Sequence, residues 1–247
     1  MAFPPKCAAC RKLLDWHLPD GEESDALCPA CTKAWESEAL ETCGICAKPV
    51  TACTCMTEVM AEAKCQGFAK TVYYQPMRRA SVQNRLIYHI KKRENDCALS
   101  YLAQAIARSM LAMLEEAGVD ASEAVLTYLP RTRRARLIHG TDQALALCRV
   151  LSRRTGIPYA ALLCRKRGEE REQKRLSSTM RIQNAKHAIL PKANADCKGK
   201  NVVLVDDIVT TGASVSAGVR ALRKMGAKRV FCAAVATDVC NKDEIIR

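Results

Sequence analysis

The chain has 247 residues, 49% hydrophobic and 26% charged, with a formal net charge of +13. That length suits one sizeable domain plus a small one, and the hydrophobic share is enough to fill a core. No run of about 18 apolar residues occurs, so no membrane span is expected, and the opening MAFPPKCAAC lacks a secretory apolar stretch, so the expected location is the cytoplasm.

Chain order begins with cysteines. There are 15 in all, and eight fall in the first quarter: Cys7, Cys10, Cys28, Cys31, Cys43, Cys46, Cys53 and Cys55. They read as three C-x2-C pairs followed by one C-x-C pair. A C-x2-C turn aims two sulfurs at one point, and two such turns complete a tetrahedral thiolate cage for structural zinc. Nothing in the sequence indicates the oxidising compartment that disulfides need; they and an iron–sulfur cluster are the alternatives to zinc. Sequence order suggests one zinc site at Cys7, Cys10, Cys28 and Cys31, and a second at Cys43, Cys46, Cys53 and Cys55. An interleaved pairing stays open, and Cys65 is an alternative to Cys55. Two closed four-thiolate zinc sites, each carrying −2, would lower the net charge from +13 to about +9. The segment holds few large apolar residues, so metal would supply its folding energy. The expected boundaries are a double zinc-ribbon domain over 1–62 and a second domain over 63–247. The scattered cysteines read as small buried apolar side chains.

After Cys65 the pattern changes. AKTVYYQP reads as a strand ending at Pro76. MRRASVQNRLIYHIKK reads as an amphipathic helix, with Val82, Leu86 and Ile90 spaced four apart. CALSYLAQAIARSMLAMLEEAG is a long helix stopped by Gly118. AVLTYLP is a strand, DQALALCRVLSRRTG a helix closed by Gly156, and PYAALLC a strand. VVLVDD is another strand, followed by the helix ASVSAGVRALRKMG and the strand KRVFCAAVAT. Apolar strands alternating with helices indicate a parallel sheet covered on both faces, with ligands bound at the carboxyl ends of the strands.

The stretch VVLVDDIVTTGAS holds the strongest functional signal. Asp206 and Asp207 precede a loop of Thr210, Thr211, Gly212, Ala213 and Ser214 that opens a helix. Amides at a helix N-terminus carry partial positive charge and favour a phosphate. Gly212 admits close backbone approach, and three hydroxyls add donors. No G-x4-G-K-[ST] occurs, which excludes the P-loop. A phosphate cradle beside two carboxylates suits a ribose 5-phosphate: the loop takes the phosphate, and the carboxylates accept from the 2- and 3-hydroxyls or help hold Mg²⁺.

This stretch resembles the phosphoribosyl pyrophosphate (PRPP) motif of type I phosphoribosyltransferases. With the cysteine-rich head, the chain resembles the ComF family of competence-associated proteins. Further family segments are matched by Pro130, Arg134, Gly140 and Gln143, and by Gln173, Leu176, Ser177, Arg181, Asn184 and Ala188. A third is matched by His89 and Lys91, with Lys92 at an aromatic position. The chain departs from the pattern at His139, Thr141, Asp142 and Ile189, while the PRPP loop is intact.

The resemblance implies an α/β fold: a parallel-sheet type I phosphoribosyltransferase-like domain after a zinc-ribbon domain. It also implies PRPP with Mg²⁺ as ligand. The loop carrying Arg131, Arg133, Arg134 and Arg136 then becomes a candidate for pyrophosphate or nucleic acid. The polar stretch RKRGEEREQKRLSS resembles the flexible loop that closes over PRPP, with Lys174 and Arg175 reaching the pyrophosphate. Two functions follow: phosphoribosyl transfer to an acceptor the sequence does not name, or non-catalytic handling of single-stranded DNA with competence machinery. An aromatic content of 4% is poor for base stacking. No catalytic residue is legible, and His89, Met60, Met110 and Met113 read as structural.

Overall fold

The computed structural model describes residues 5–14, 26–74, 80–91, 96–131, 137, 142–166 and 189–238. In chain order it has helices α1 (Pro29–Ala39) and α2 (Glu58–Glu62), strands β1 (Phe68–Ala69) and β2 (Val72–Tyr73), and helices α3 (Val82–Lys91) and α4 (Asp96–Glu116). There follow β3 (Ala124–Tyr128), α5 (Gln143–Thr155), β4 (Leu163–Arg165), β5 (Ile189–Pro191), β6 (Asn201–Val209), α6 (Ala213–Lys224) and β7 (Arg229–Thr237).

β6 lies at the centre of a parallel sheet, with β3 on one side and β7 on the other; β1 and β2 pair with the far edge of β7. Side chains alternate across the sheet because a strand repeats every two residues. Val203, Val205, Phe231, Ala233 and Val235 face a core built with α3, α4 and α5. Val202, Leu204, Val230, Cys232 and Ala234 face a second core built with α2 and α6. Gly218 brings α6 close to the sheet: a Cβ there would stand 2.8 Å from Leu204 Cδ2. The expected parallel sheet with helices on both faces is present.

Local signals explain some element ends. Asp142 caps α5 by accepting from the Leu145 amide at 3.4 Å, and Gly156 ends that helix at φ +72°. Val82, Leu86 and Ile90 are all buried, as the helical spacing requires. The first amides of α3 donate to Glu38, Val82 at 3.2 Å and Gln83 at 3.0 Å, so α1 of the cysteine-rich segment caps a helix of the main body. The expected start of that helix at Met77 lies outside the described residues. α4 is long and apolar enough by composition to cross a membrane, but Leu102, Ile106, Met110 and Leu114 are buried against the sheet. Met60 and Met113 are core residues as well.

Two strand readings need correction. Within the described residues the strand expected over AKTVYYQP is two short pieces in one register on β7, broken at Lys70, whose side chain leaves the sheet for the cysteine-rich segment; its expected end at Pro76 lies outside the described residues. PYAALLC is not a strand of the main sheet along its length. Tyr159 forms one isolated parallel bridge to Leu126; the amide of Leu162 then donates to the Thr127 hydroxyl instead of a main-chain carbonyl. From there the chain departs, and Leu163–Arg165 pairs antiparallel with Ile189–Pro191 in a separate two-stranded sheet.

Candidate functional site

The cysteines gather in two groups, Cys7–Cys10–Cys28–Cys31 and Cys43–Cys46–Cys53–Cys55, with the four sulfurs of each within 4.8 Å of one another. The pairing follows sequence order, not the interleaved alternative. Cys65 stands apart: its buried thiol donates to the Gly67 carbonyl at 3.4 Å. Tetrahedral zinc at about 2.3 Å from each sulfur requires sulfur–sulfur separations of about 3.8 Å. The Cys10–Cys28 distance of 3.7 Å meets that value. Burial pushes the Cys7 thiol up, but the amides of Cys10, Cys28 and Ala9 outweigh it and bring its pKa down to about 6. Burial opposes the same effect at Cys43, where the amides of Cys46 and Ile45 bring it to about 6. Four soft sulfurs in a closed set fit a structural tetrahedral metal.

Lys70 is the neighbour of the second cluster. It is buried, and its Nζ donates to the carbonyls of Cys53 at 2.9 Å and Cys55 at 2.7 Å. The ammonium also lies 4.8 Å from the Phe68 ring centroid. A buried cation at a tetrathiolate site offsets the site's negative charge. Sequence reasoning missed it, and the only available signal was a lone lysine inside an apolar run.

The other group of interest lies at the carboxyl ends of the sheet strands. β3 reaches its last partner where Tyr128 meets Val205, so among the described residues Asp206–Val209 have a strand neighbour only on the β7 side. The two carboxylates therefore sit just past the last β3–β6 pair, both partly buried. Asp206 accepts from the Asp207 amide at 2.8 Å, and Asp207 from the Ile208 amide at 2.9 Å. Desolvation, reinforced by the Asp207 charge, holds the Asp206 carboxyl well above the usual aspartate range. Arg131 Nη2 donates to Asp207 Oδ2 at 3.2 Å, and the Arg131 amide donates to Asp142 Oδ2 at 3.0 Å. Asp142, a departure from the family pattern, thus caps α5 and steadies Arg131.

Thr210, Thr211 and Ser214 are open to solvent at least in part, whereas Gly212 and Ala213 are buried. Gly212 has φ +73° and is the N-cap of α6, so the capping residue has no side chain of its own to take an amide of the first turn. The Ala213 amide reaches Thr211 Oγ1 at 3.4 Å. The space left by the missing Cβ of Gly212 is filled by Thr57 and Met60 from the cysteine-rich segment, a contact no sequence signal announced. His89 Nε2 lies 3.3 Å from the Ala9 carbonyl, beside the first cluster. Arg133, Arg134, Arg136, Lys174 and Arg175 lie outside the described residues.

Residues 141–246 match the sequence model of the phosphoribosyl transferase domain. The fold is of the parallel-sheet phosphoribosyltransferase type, with a cysteine-rich N-terminal region. Among curated proteins, the chain is 44% identical over 63 residues to a ribose-phosphate pyrophosphokinase of Pyrococcus furiosus, covering 26% of this chain and 20% of that protein. It is 32% identical over 92 residues to the ribose-phosphate pyrophosphokinase of Saccharolobus solfataricus, covering 37% and 27%. The chain thus spans roughly a fifth to a quarter of the length of these relatives. Among solved structures, the purine phosphoribosyltransferase of Pyrococcus horikoshii Ot3 aligns with 20% identity and a TM-score of 0.36, over 56% of this chain and 73% of that one. The glutamine PRPP amidotransferase of B. subtilis aligns with 22% identity and a TM-score of 0.39, over 61% and 30%.

Proposed function

We propose that the chain binds PRPP, or another ribose 5-phosphate, at Asp206, Asp207 and the loop Thr210–Ser214, and transfers the phosphoribosyl group to an acceptor. The observation carrying this reading is the adjacency of two carboxylates, just past the last β3–β6 pair, to a helix start whose N-cap is left-handed Gly212. The loop amides and hydroxyls hold the 5-phosphate, and the carboxylates accept from the ribose hydroxyls. In the transfer, the bond from ribose C1 to pyrophosphate breaks, its electron pair leaves with pyrophosphate, and the acceptor's lone pair forms the new bond at C1. Mg²⁺ bound with the ligand would neutralise charge on the departing pyrophosphate. Arg131, already placed at Asp207, is the pyrophosphate contact among the described residues; Arg134, Lys174 and Arg175 join it in the proposal. Cys7, Cys10, Cys28 and Cys31 hold one structural zinc, and Cys43, Cys46, Cys53 and Cys55 the other, in a zinc-ribbon domain over 1–62 preceding the transferase-like domain over 63–247. A cytoplasmic location would keep these thiolates reduced.

A second reading follows the ComF resemblance: handling of single-stranded DNA in competence. It is favoured by the net charge of +13 and by exposed Lys198, Lys200, Arg223, Lys224 and Lys228 around the amino-terminal ends of β6 and β7. One thermal-shift comparison tests both readings. PRPP with Mg²⁺ should raise the melting temperature, by about 2–4 °C for each kcal/mol of binding linkage. Single-stranded DNA should do so only if the second reading holds, with a shift that fades as salt is raised. No shift with PRPP contradicts the first reading.

A further inference from the structure

The phosphate loop is walled by the cysteine-rich segment. A Cβ on Gly212 would overlap Thr57 Oγ1 and stand 2.8 Å from Met60 Cγ and 3.0 Å from Met60 Sδ. Met60 is fully buried and Thr57 is 4% exposed. The Thr57 hydroxyl has no hydrogen-bond partner among the described residues, although burial makes an unmade bond costly. A buried hydroxyl left without a partner beside the loop calls for an explanation beyond packing.

Thr57 follows Cys55 by two residues and stands at the N-cap position of α2, a helix of five residues, without a side-chain cap bond. So short a helix has no stability of its own and takes its position from its anchors. Three are visible. The second cysteine cluster fixes Cys53 and Cys55 by their sulfurs. Lys70 fixes their carbonyls to the edge of the sheet. Met60 is embedded in the core shared with α6.

We propose that Thr57 and Met60 are positioning residues for the phosphate loop, and that metal in the second cysteine cluster sets their place. This rests on reading Thr210–Ser214 as a phosphate site. Without metal, four sulfurs within 4.8 Å lose the charge that draws them together, and the chain from Cys43 to Cys55 loses its closure. Thr57 then loses its anchor, and Gly212 loses the wall that holds it at φ +73°. The amides of the first turn of α6 stop converging. The first cluster packs instead with α3 and α4 on the opposite face of the sheet.

The test uses the full chain and the double variant Cys53→Ser/Cys55→Ser, with metal counted per chain. PRPP with Mg²⁺ is titrated by calorimetry, and hydrogen exchange is read at the amides of 210–216 and of 202–205. The variant should lose one metal, bind PRPP about tenfold more weakly, and lose protection at 210–216 while 202–205 keep theirs. Unchanged protection at 210–216 after loss of that metal overturns the proposal. If the parent fails to bind PRPP, the functional reading falls, and hydrogen exchange alone still decides whether the cluster braces the loop. Should the double variant not fold, Thr57→Ala and Thr57→Ser replace it. Alanine should lower protection at 210–216 and serine restore it; equal protection in alanine, serine and parent overturns the proposal.

Discussion

At the residue scale, Asp206 is the most informative group. Its carboxyl is held above its ordinary value by desolvation first and the charge of Asp207 second, with Arg131 opposing. An acid whose folded pKa is raised is one the fold prefers protonated. The penalty is absent below the ordinary value of 3.8, grows as pH rises through the interval up to the raised value, and is constant above it. Asp206→Asn removes the penalty. The variant should therefore melt above the parent at pH 7.5, by about 2–4 °C for each kcal/mol relieved, and the gap should be smaller at pH 5. Melting curves at the two pH values decide this, and a gap that shrinks at the higher pH contradicts it. A carboxylate held where it weakens the fold supports the ligand-binding role proposed for it.

At the element scale, the strand–loop–helix from β6 to α6 was legible because each part carries its own local signal. The apolar run of Val202–Val205 marks a buried strand, and Gly212 followed by a helical pattern marks the turn. The eight cysteines were legible as metal-ligand pairs from spacing, while their grouping into two sets of four needed the fold. What escaped depends on chain segments far apart in sequence. Arg131 meets Asp207 across 76 residues, and Lys70 meets Cys53 across 17. The departure of PYAALLC from the main sheet hangs on one hydroxyl, Thr127, taking an amide that a strand would have used. Lys70 supports a prediction of its own. Lys70→Met keeps an unbranched side chain in the buried space and removes two charge-assisted hydrogen bonds to Cys53 and Cys55. A group behind a metal site typically changes metal affinity by about 10–100-fold. One of two bound metals should thus pass to a chromogenic chelator at least about tenfold faster in the variant than in the parent. Equal release of both metals from the two proteins contradicts the role given to Lys70.

At the scale of the whole molecule, the cysteine-rich segment is integrated with the sheet on both faces. Cys7, Cys31 and Trp35 share a core with α3 and α4, and Met60 shares the other core with α6. Glu38 caps α3, and Lys70 ties the second cluster to the strand edge beside β7. The same sheet carries Asp206 and Asp207 at its carboxyl edge, so cysteine clusters, loop and carboxylates share one sheet. The central claim is that those carboxylates read the sugar of a ribose 5-phosphate, and calorimetric titration of PRPP with Mg²⁺ into the parent and Asp207→Asn tests it most directly. The parent should bind, the variant should bind more weakly by about 1–3 kcal/mol for the lost charged hydrogen bond, and inorganic phosphate should bind both alike. Equal affinity of the two proteins for PRPP would contradict the account.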